Sequence, residues 1–168
     1  MSQELRMDEA LDIAMEAELQ AQAFYAQAAA QVQDPNGRDL LGRLAAFENY
    51  HYQKLAELAQ ALKEDGAFIE YEARTVEQFS PLVGRGEAGG THLQELQDVV
   101  SILSKAIENE KVARAQYQAL AETTADDLGQ AMFRDLANEE TIHQRILEDE
   151  FFSLSNQGVW GWSGMYGE

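Results

Sequence analysis

A shift of 92 residues lays one half of this 168-residue chain on the other without a gap, and from residue 14 to 55, 14 of 42 positions are then identical. Ala14 meets Ala106, Glu16 meets Glu108 and Glu18 meets Glu110; Ala21 meets Ala113 and Tyr25 meets Tyr117; Asp34 meets Asp126, Leu44 meets Leu136 and Ala45 meets Ala137; Glu48 meets Glu140, His51 meets His143 and Leu55 meets Leu147. A chain built this way is expected to fold as two copies of one unit. If the copies pack about a pseudo-twofold axis, a site on that axis is lined equally by both.

The unit is a helical hairpin. In the first copy, a helix from about Met7 to Gln33 carries the stripe Leu11, Ala14, Glu18, Ala21, Tyr25, Ala28, Val32, stepping alternately by three and four. The turn sequence Asp34-Pro35-Asn36-Gly37 interrupts it. A second helix, from about Arg38 to Asp65, carries Leu41, Leu44, Glu48, His51, Leu55, Leu58, Leu62 and ends at Gly66. In the second copy, Thr91 with Gln94 reads as a capping box for a helix carrying Leu96, Val99, Leu103, Ala106, Glu110, Ala113, Tyr117, Leu120. After the break Thr123 to Asp127, a fourth helix carries Phe133, Leu136, Glu140, His143, Leu147 and is expected to end near Phe152.

Short turns inside each half make its two helices antiparallel. Residues 66 to 90 have no long periodic pattern, only room for a short helix after Thr75. A helix of ~28 residues is about 42 Å long, and ~25 extended residues reach about 80 Å, so this segment can return along the bundle. The expected fold is all-α: a ferritin-like four-helix bundle of two antiparallel hairpins joined by a long crossover, over residues 1–152, followed by a Gly-rich aromatic tail over 153–168. The tail holds Val159, Trp160, Trp162 and Tyr166, and its tryptophans are expected to serve packing or subunit contacts.

Each long helix places one glutamate where the spacing demands a core residue, and the second and fourth add a histidine three positions later on the same face. Glu18, Glu48, His51, Glu110, Glu140 and His143 therefore point inward at similar depth. Burying an ionised carboxylate without a partner costs several kcal/mol or more. The apolar stripes contain no lysine or arginine to neutralise four of them, whereas two divalent cations would. Glutamate oxygens with imidazole nitrogens suit iron, manganese or zinc rather than calcium. The neighbouring Glu57, Glu64 and Glu122 are expected at the surface, and so is His92; Glu139, next to Glu140, is expected there too, with orienting a histidine as its other reading.

The segments Glu18-Leu-Gln-Ala21-Gln-Ala-Phe-Tyr25, Phe47-Glu48-Asn-Tyr-His51, Ala106-Ile-Glu-Asn-Glu110 with Tyr117, and Ala137-Asn-Glu-Glu140-Thr-Ile-His143 resemble the rubrerythrin branch of the ferritin-like superfamily, over roughly residues 8 to 152. The resemblance implies a di-iron centre held by those six residues and reduction of hydrogen peroxide or oxygen. Two departures stand out. Rubrerythrins usually have a further glutamate three positions after the ligand of the third helix; here that position is Ala113, whose repeat mate is Ala21. Rubrerythrins also carry a rubredoxin domain with paired Cys-x-x-Cys motifs, and this chain has no cysteine, so a separate electron-donor protein is implied. Tyr25 and Tyr117 lie two turns past Glu18 and Glu110 on the same faces, where their hydroxyls can reach a ligand carboxylate or pass an electron.

Three functional readings stay open at this level: a di-iron peroxidase or oxidase, a ferroxidase or iron-handling protein, and a metal-stabilised binding module. A homodimer is the expected assembly for the first. The formal net charge of -18 argues against nucleic acid and anionic membrane surfaces as partners. Residues 1 to 20 read as an acidic amphipathic segment, not a leader, and no apolar run reaches ~18 residues, so the expected compartment is the cytoplasm.

Overall fold

A computed structural model describes residues 5–66 and 93–162. The expected capping residue Thr91, His92, the short helix after Thr75, the crossover and Tyr166 lie outside that range. The described residues form four helices: α1, Met7–Gln31; α2, Pro35–Asp65; α3, Leu93–Thr123; and α4, Asp127–Gln157.

The repeat extends to the ends of the helices. Both termini of α2, moved by 92 positions, become those of α4, and the end of α1 becomes that of α3. The same capping chemistry acts in both copies. Asp34 accepts from the backbone of Asn36 and Gly37, and Asp126 accepts from Gly129 at 2.9 Å. Gly66 and Gly158 close α2 and α4 in the left-handed conformation, at φ 64° and 70°. The sequence expectation placed the start of α2 at Arg38. The helix begins three residues earlier because Pro35 occupies its first turn, where the missing N–H costs nothing.

Tyr25 of α1 bonds Glu110 of α3, while Tyr117, later in α3, bonds Glu18, earlier in α1. Those two helices therefore run antiparallel, as do α1 with α2 and α3 with α4. The result is the ferritin-like four-helix bundle expected from the spacing of breaks, with α2 and α3 pointing the same way.

Two apolar clusters fill the interior. One gathers Val32, Leu40, Leu44, Leu103, Leu147 and Leu154; the other gathers Leu11, Leu55, Leu58, Leu120, Phe133 and Leu136. The inward glutamates lie between them along every helix.

α4 does not stop near Phe152 but runs to Gln157, and the chain then folds back on the bundle. Trp160 and Trp162 are buried in the first cluster. Gly161 N–H donates to Glu150 Oε2 at 2.8 Å, Trp162 Nε1–H donates to Asp39 Oδ2 at 2.8 Å, and the Arg43 guanidinium lies 5.5 Å from the Trp162 ring. Trp160 sits on Gly37, where a Cβ would come within 2.4 Å of its ring. The tail tryptophans thus serve packing within the chain.

Candidate metal centre

All six inward residues predicted from spacing are buried, with both histidines fully enclosed. They form two overlapping sets, Glu18, Glu48, His51, Glu140 and Glu48, Glu110, Glu140, His143, each with one donor atom per residue within 4.8 Å of the others. Glu48 and Glu140 belong to both. Both imidazoles face the cluster through Nδ1. That of His51 lies 3.2 Å from Glu48 and 3.5 Å from both Glu18 and Glu140; that of His143 lies 3.2 Å from Glu48 and Glu140 and 3.7 Å from Glu110. The rings stack at 5.9 Å between centroids, 20° from parallel.

These donors fit a pair of divalent cations. No lysine or arginine is buried among the described residues. Glu18 Oε2 is buried and accepts no hydrogen bond among the described residues. Leaving carboxylate oxygens in that state is costly unless a cation takes their lone pairs. Together the cluster has the donor set of a di-metal site: two shared carboxylates, and one carboxylate with one imidazole nitrogen at each end.

Without metal, the charges are arranged by protons. Burial pushes the Glu18 and Glu110 carboxyls well above the ordinary range. Burial acts the same way on Glu48 and Glu140, but the adjoining imidazoles, and for Glu140 the Glu110 carboxyl, outweigh it and hold both below that range. Burial would lower the imidazoles. Facing carboxylates win instead and hold His51 and His143 well above their usual value, Glu18 acting most on the first and Glu48 on the second.

Tyr25 and Tyr117 are where the sequence put them, donating across the bundle to Glu110 and Glu18. Burial, then the carboxylate each one faces, pushes both phenols well up, so they stay protonated donors. Between α1 and α3 a cavity of about 30 Å³ reaches the carboxylates, lined by Ala17, Ala21, Ala113, Phe24 and the two tyrosines.

Glu139 corrects the sequence expectation. It was expected at the surface but is only 3% exposed, and its carboxylate meets Nε2 of His51. The signal was available: position 139 lies three past Leu136 and four before His143, on the same grid as the buried stripe. Glu150 is also buried, three past Leu147 and four before Leu154, where the stripe continues beyond the helix end expected near Phe152.

No helix among the described residues is long and apolar enough to cross a membrane. No curated protein matches the chain. A solved structure of a hypothetical protein from Pyrococcus furiosus matches with a TM-score of 0.67 at 22% identity, covering 91% of this chain and 92% of that one; the likeness is one of fold. The family model described as Rubrerythrin matches residues 1–59 and 101–158, more than half of the chain and all six inward ligand candidates. With that match standing beside the buried carboxylate–histidine cluster, the chain belongs to the rubrerythrin family.

Proposed function

We propose that Glu18, Glu48, His51, Glu110, Glu140 and His143 hold two iron ions and that the protein reduces hydrogen peroxide or oxygen. The observation that carries this reading is the overlap of the two donor sets through Glu48 and Glu140, which supports two metal positions side by side. Two adjacent ferrous ions supply the two electrons that reduction of a peroxide O–O bond consumes. The protein's part is to hold the carboxylates dry and convergent, to keep imidazole nitrogens aimed at both positions, and to admit a small oxidant. The cavity between α1 and α3 suits that last task, since about 30 Å³ accommodates one or two water-sized molecules. Tyr25 and Tyr117 hold the end carboxylates in place through their hydroxyls and stand beside the oxidant as it enters. On this reading a separate donor protein supplies the electrons that restore the ferrous state.

The test is anaerobic loading of metal-stripped protein with ferrous iron, followed by rapid mixing with hydrogen peroxide. About two irons per chain, oxidised faster than free ferrous iron, is the expected result. Iron per chain near zero overturns the di-metal reading. Uptake far beyond two, in an assembly large enough to enclose a mineral, assigns an iron-handling role instead.

A further inference from the structure

The cavity between α1 and α3 is symmetric in most of what lines it. Its carboxylates, its two tyrosines and the pair Ala21 and Ala113 all recur under the 92-residue shift as residues of the same kind. The symmetry breaks where Ala17 of α1 meets its repeat mate, Asn109 of α3; both line the cavity. Position 17 offers a methyl group. Position 109 offers a carboxamide, half-buried and next in sequence to the ligand candidate Glu110. We propose that Asn109 is a specificity-determining residue, which hydrogen-bonds hydrogen peroxide in this cavity and so favours peroxide over oxygen as the oxidant.

The proposal rests on the di-metal reading above and narrows its oxidant to one. The other polar groups of the cavity are already engaged. Tyr25 and Tyr117 donate to Glu110 and Glu18, and the four carboxylates supply donors to the two overlapping metal sets. Ala17, Ala21, Ala113 and Phe24 add only apolar surface. Asn109 is thus the lining side chain whose polar atoms are left for a guest. A carboxamide has two N–H donors and a carbonyl acceptor. Hydrogen peroxide has two O–H donors and lone pairs on both oxygens, so it bonds such a group in both senses. Dioxygen has no proton to donate and accepts poorly, so the same amide does little for it. In about 30 Å³ a guest of that size lies against the wall whichever way it turns. Asn109 takes no part in the redox step itself. Reduction breaks the O–O bond, takes one electron from each of two ferrous ions and two protons from solvent, and releases two water molecules. The preference comes from the difference in what the wall can bond, not from the electron transfer.

Asn109→Ala, which makes the position match Ala17, is compared with wild type after the metal-stripped full chain is loaded anaerobically with ferrous iron. Second-order rate constants are measured for oxidation by hydrogen peroxide and by oxygen. The ratio of the peroxide constant to the oxygen constant should fall about three- to tenfold in the variant, the range that one uncharged hydrogen bond supports, at unchanged iron per chain. A second readout needs no turnover. Azide, a small anion that accepts hydrogen bonds, is titrated into the oxidised, loaded protein and followed by its ferric charge-transfer absorption. The variant should bind it about three- to tenfold more weakly. Asn109→Ser keeps a hydroxyl that donates and accepts, and it should recover part of both losses. An unchanged ratio overturns the proposal, whether neither reaction slows or both slow together, and so does unchanged azide binding. Wild type that takes up no iron, or that peroxide oxidises no faster than free ferrous iron, overturns the di-metal reading itself, a result distinct from either.

Discussion

Glu150 offers a prediction whose sign and size come from one buried carboxyl. It lies on α4 under the returning tail, and its Oε2 accepts the Gly161 N–H at 2.8 Å. Burial, reinforced by the nearby Asp149, pushes its carboxyl up to about 7, while the N–H groups of Gly161 and Trp162 pull the other way and lose. The folded chain therefore holds this proton more tightly than the unfolded chain does. Between about pH 4.5 and 7 the native state binds more protons, so stability from this group is complete below the lower value and is lost as pH rises through the upper one. The interval from the ordinary 4.5 to about 7, at 1.36 kcal/mol per pH unit, corresponds to about 3 kcal/mol. Glu150→Gln removes the ionisation and keeps an acceptor for Gly161.

The assay is chemical unfolding of wild type and variant in the presence of chelator, from pH 5 to 8.5. Whatever the amide itself costs is constant with pH, so the difference between the two proteins isolates the carboxyl. That difference should move in favour of the variant by about 2–3 kcal/mol between pH 5 and 8.5. In a chain of this size the same change is worth roughly 4–12 °C in melting temperature. A difference that does not vary with pH would refute the reasoning. A difference that moves in favour of wild type would show that the two N–H donors outweigh burial.

Three further outcomes follow from the site. Glu48→Ala or Glu140→Ala removes a donor shared by both metal positions and should abolish most metal binding, read as metal per chain after anaerobic loading. Tyr25→Phe and Tyr117→Phe each leave a buried carboxyl without its cross-bundle donor and should each cost about 1–3 kcal/mol in the unfolding free energy of metal-free protein; a loss below about 0.5 kcal/mol would show that these bonds are replaced by water. Ala113→Leu narrows the cavity between α1 and α3 and should slow oxidation by hydrogen peroxide while leaving metal content unchanged; an unaltered rate would mean that the oxidant enters elsewhere.

Much of this was legible in the residues. The three–four spacing placed Glu18, Glu48, Glu110 and Glu140 inside, because a helix has no other way to satisfy both the apolar stripe and the polar residue in it. The repeat carried the same reading to both halves, and even the capping residues obey it. What spacing could not show was where side chains meet across helices. Glu139 lies on the grid of the buried stripe, so its burial could be read, but a one-dimensional pattern does not contain the His51 that it bonds across the bundle. Glu150 is similar: it lies on the stripe between Leu147 and Leu154, but its contact with Gly161 spans a reversal that no periodicity describes. Helix ends were misplaced for a local reason, since a Pro in a turn-like tetrapeptide reads as a break although it also suits the first turn of a helix.

The interior polar layer is balanced in either of two ways. Metal-free, the imidazoles and the Glu18 and Glu110 carboxyls are held toward their protonated forms and Glu48 and Glu140 toward their ionised ones. Imidazole protons then face the carboxylates of the layer, Glu139 against His51 among them. Bound metal would take over that role, with divalent cations facing the same carboxylates. The bundle can therefore close around the cluster before metal arrives, because protons do what the cations later do, and the flanking apolar clusters need not separate to admit charge. The exchange is directional: metal enters by displacing protons from the imidazoles and end carboxyls, so acid opposes loading. Tyr25 and Tyr117 bond the two end carboxyls and neither of the shared ones, which makes them the groups that keep those oxygens in register while the proton leaves and the metal takes its place.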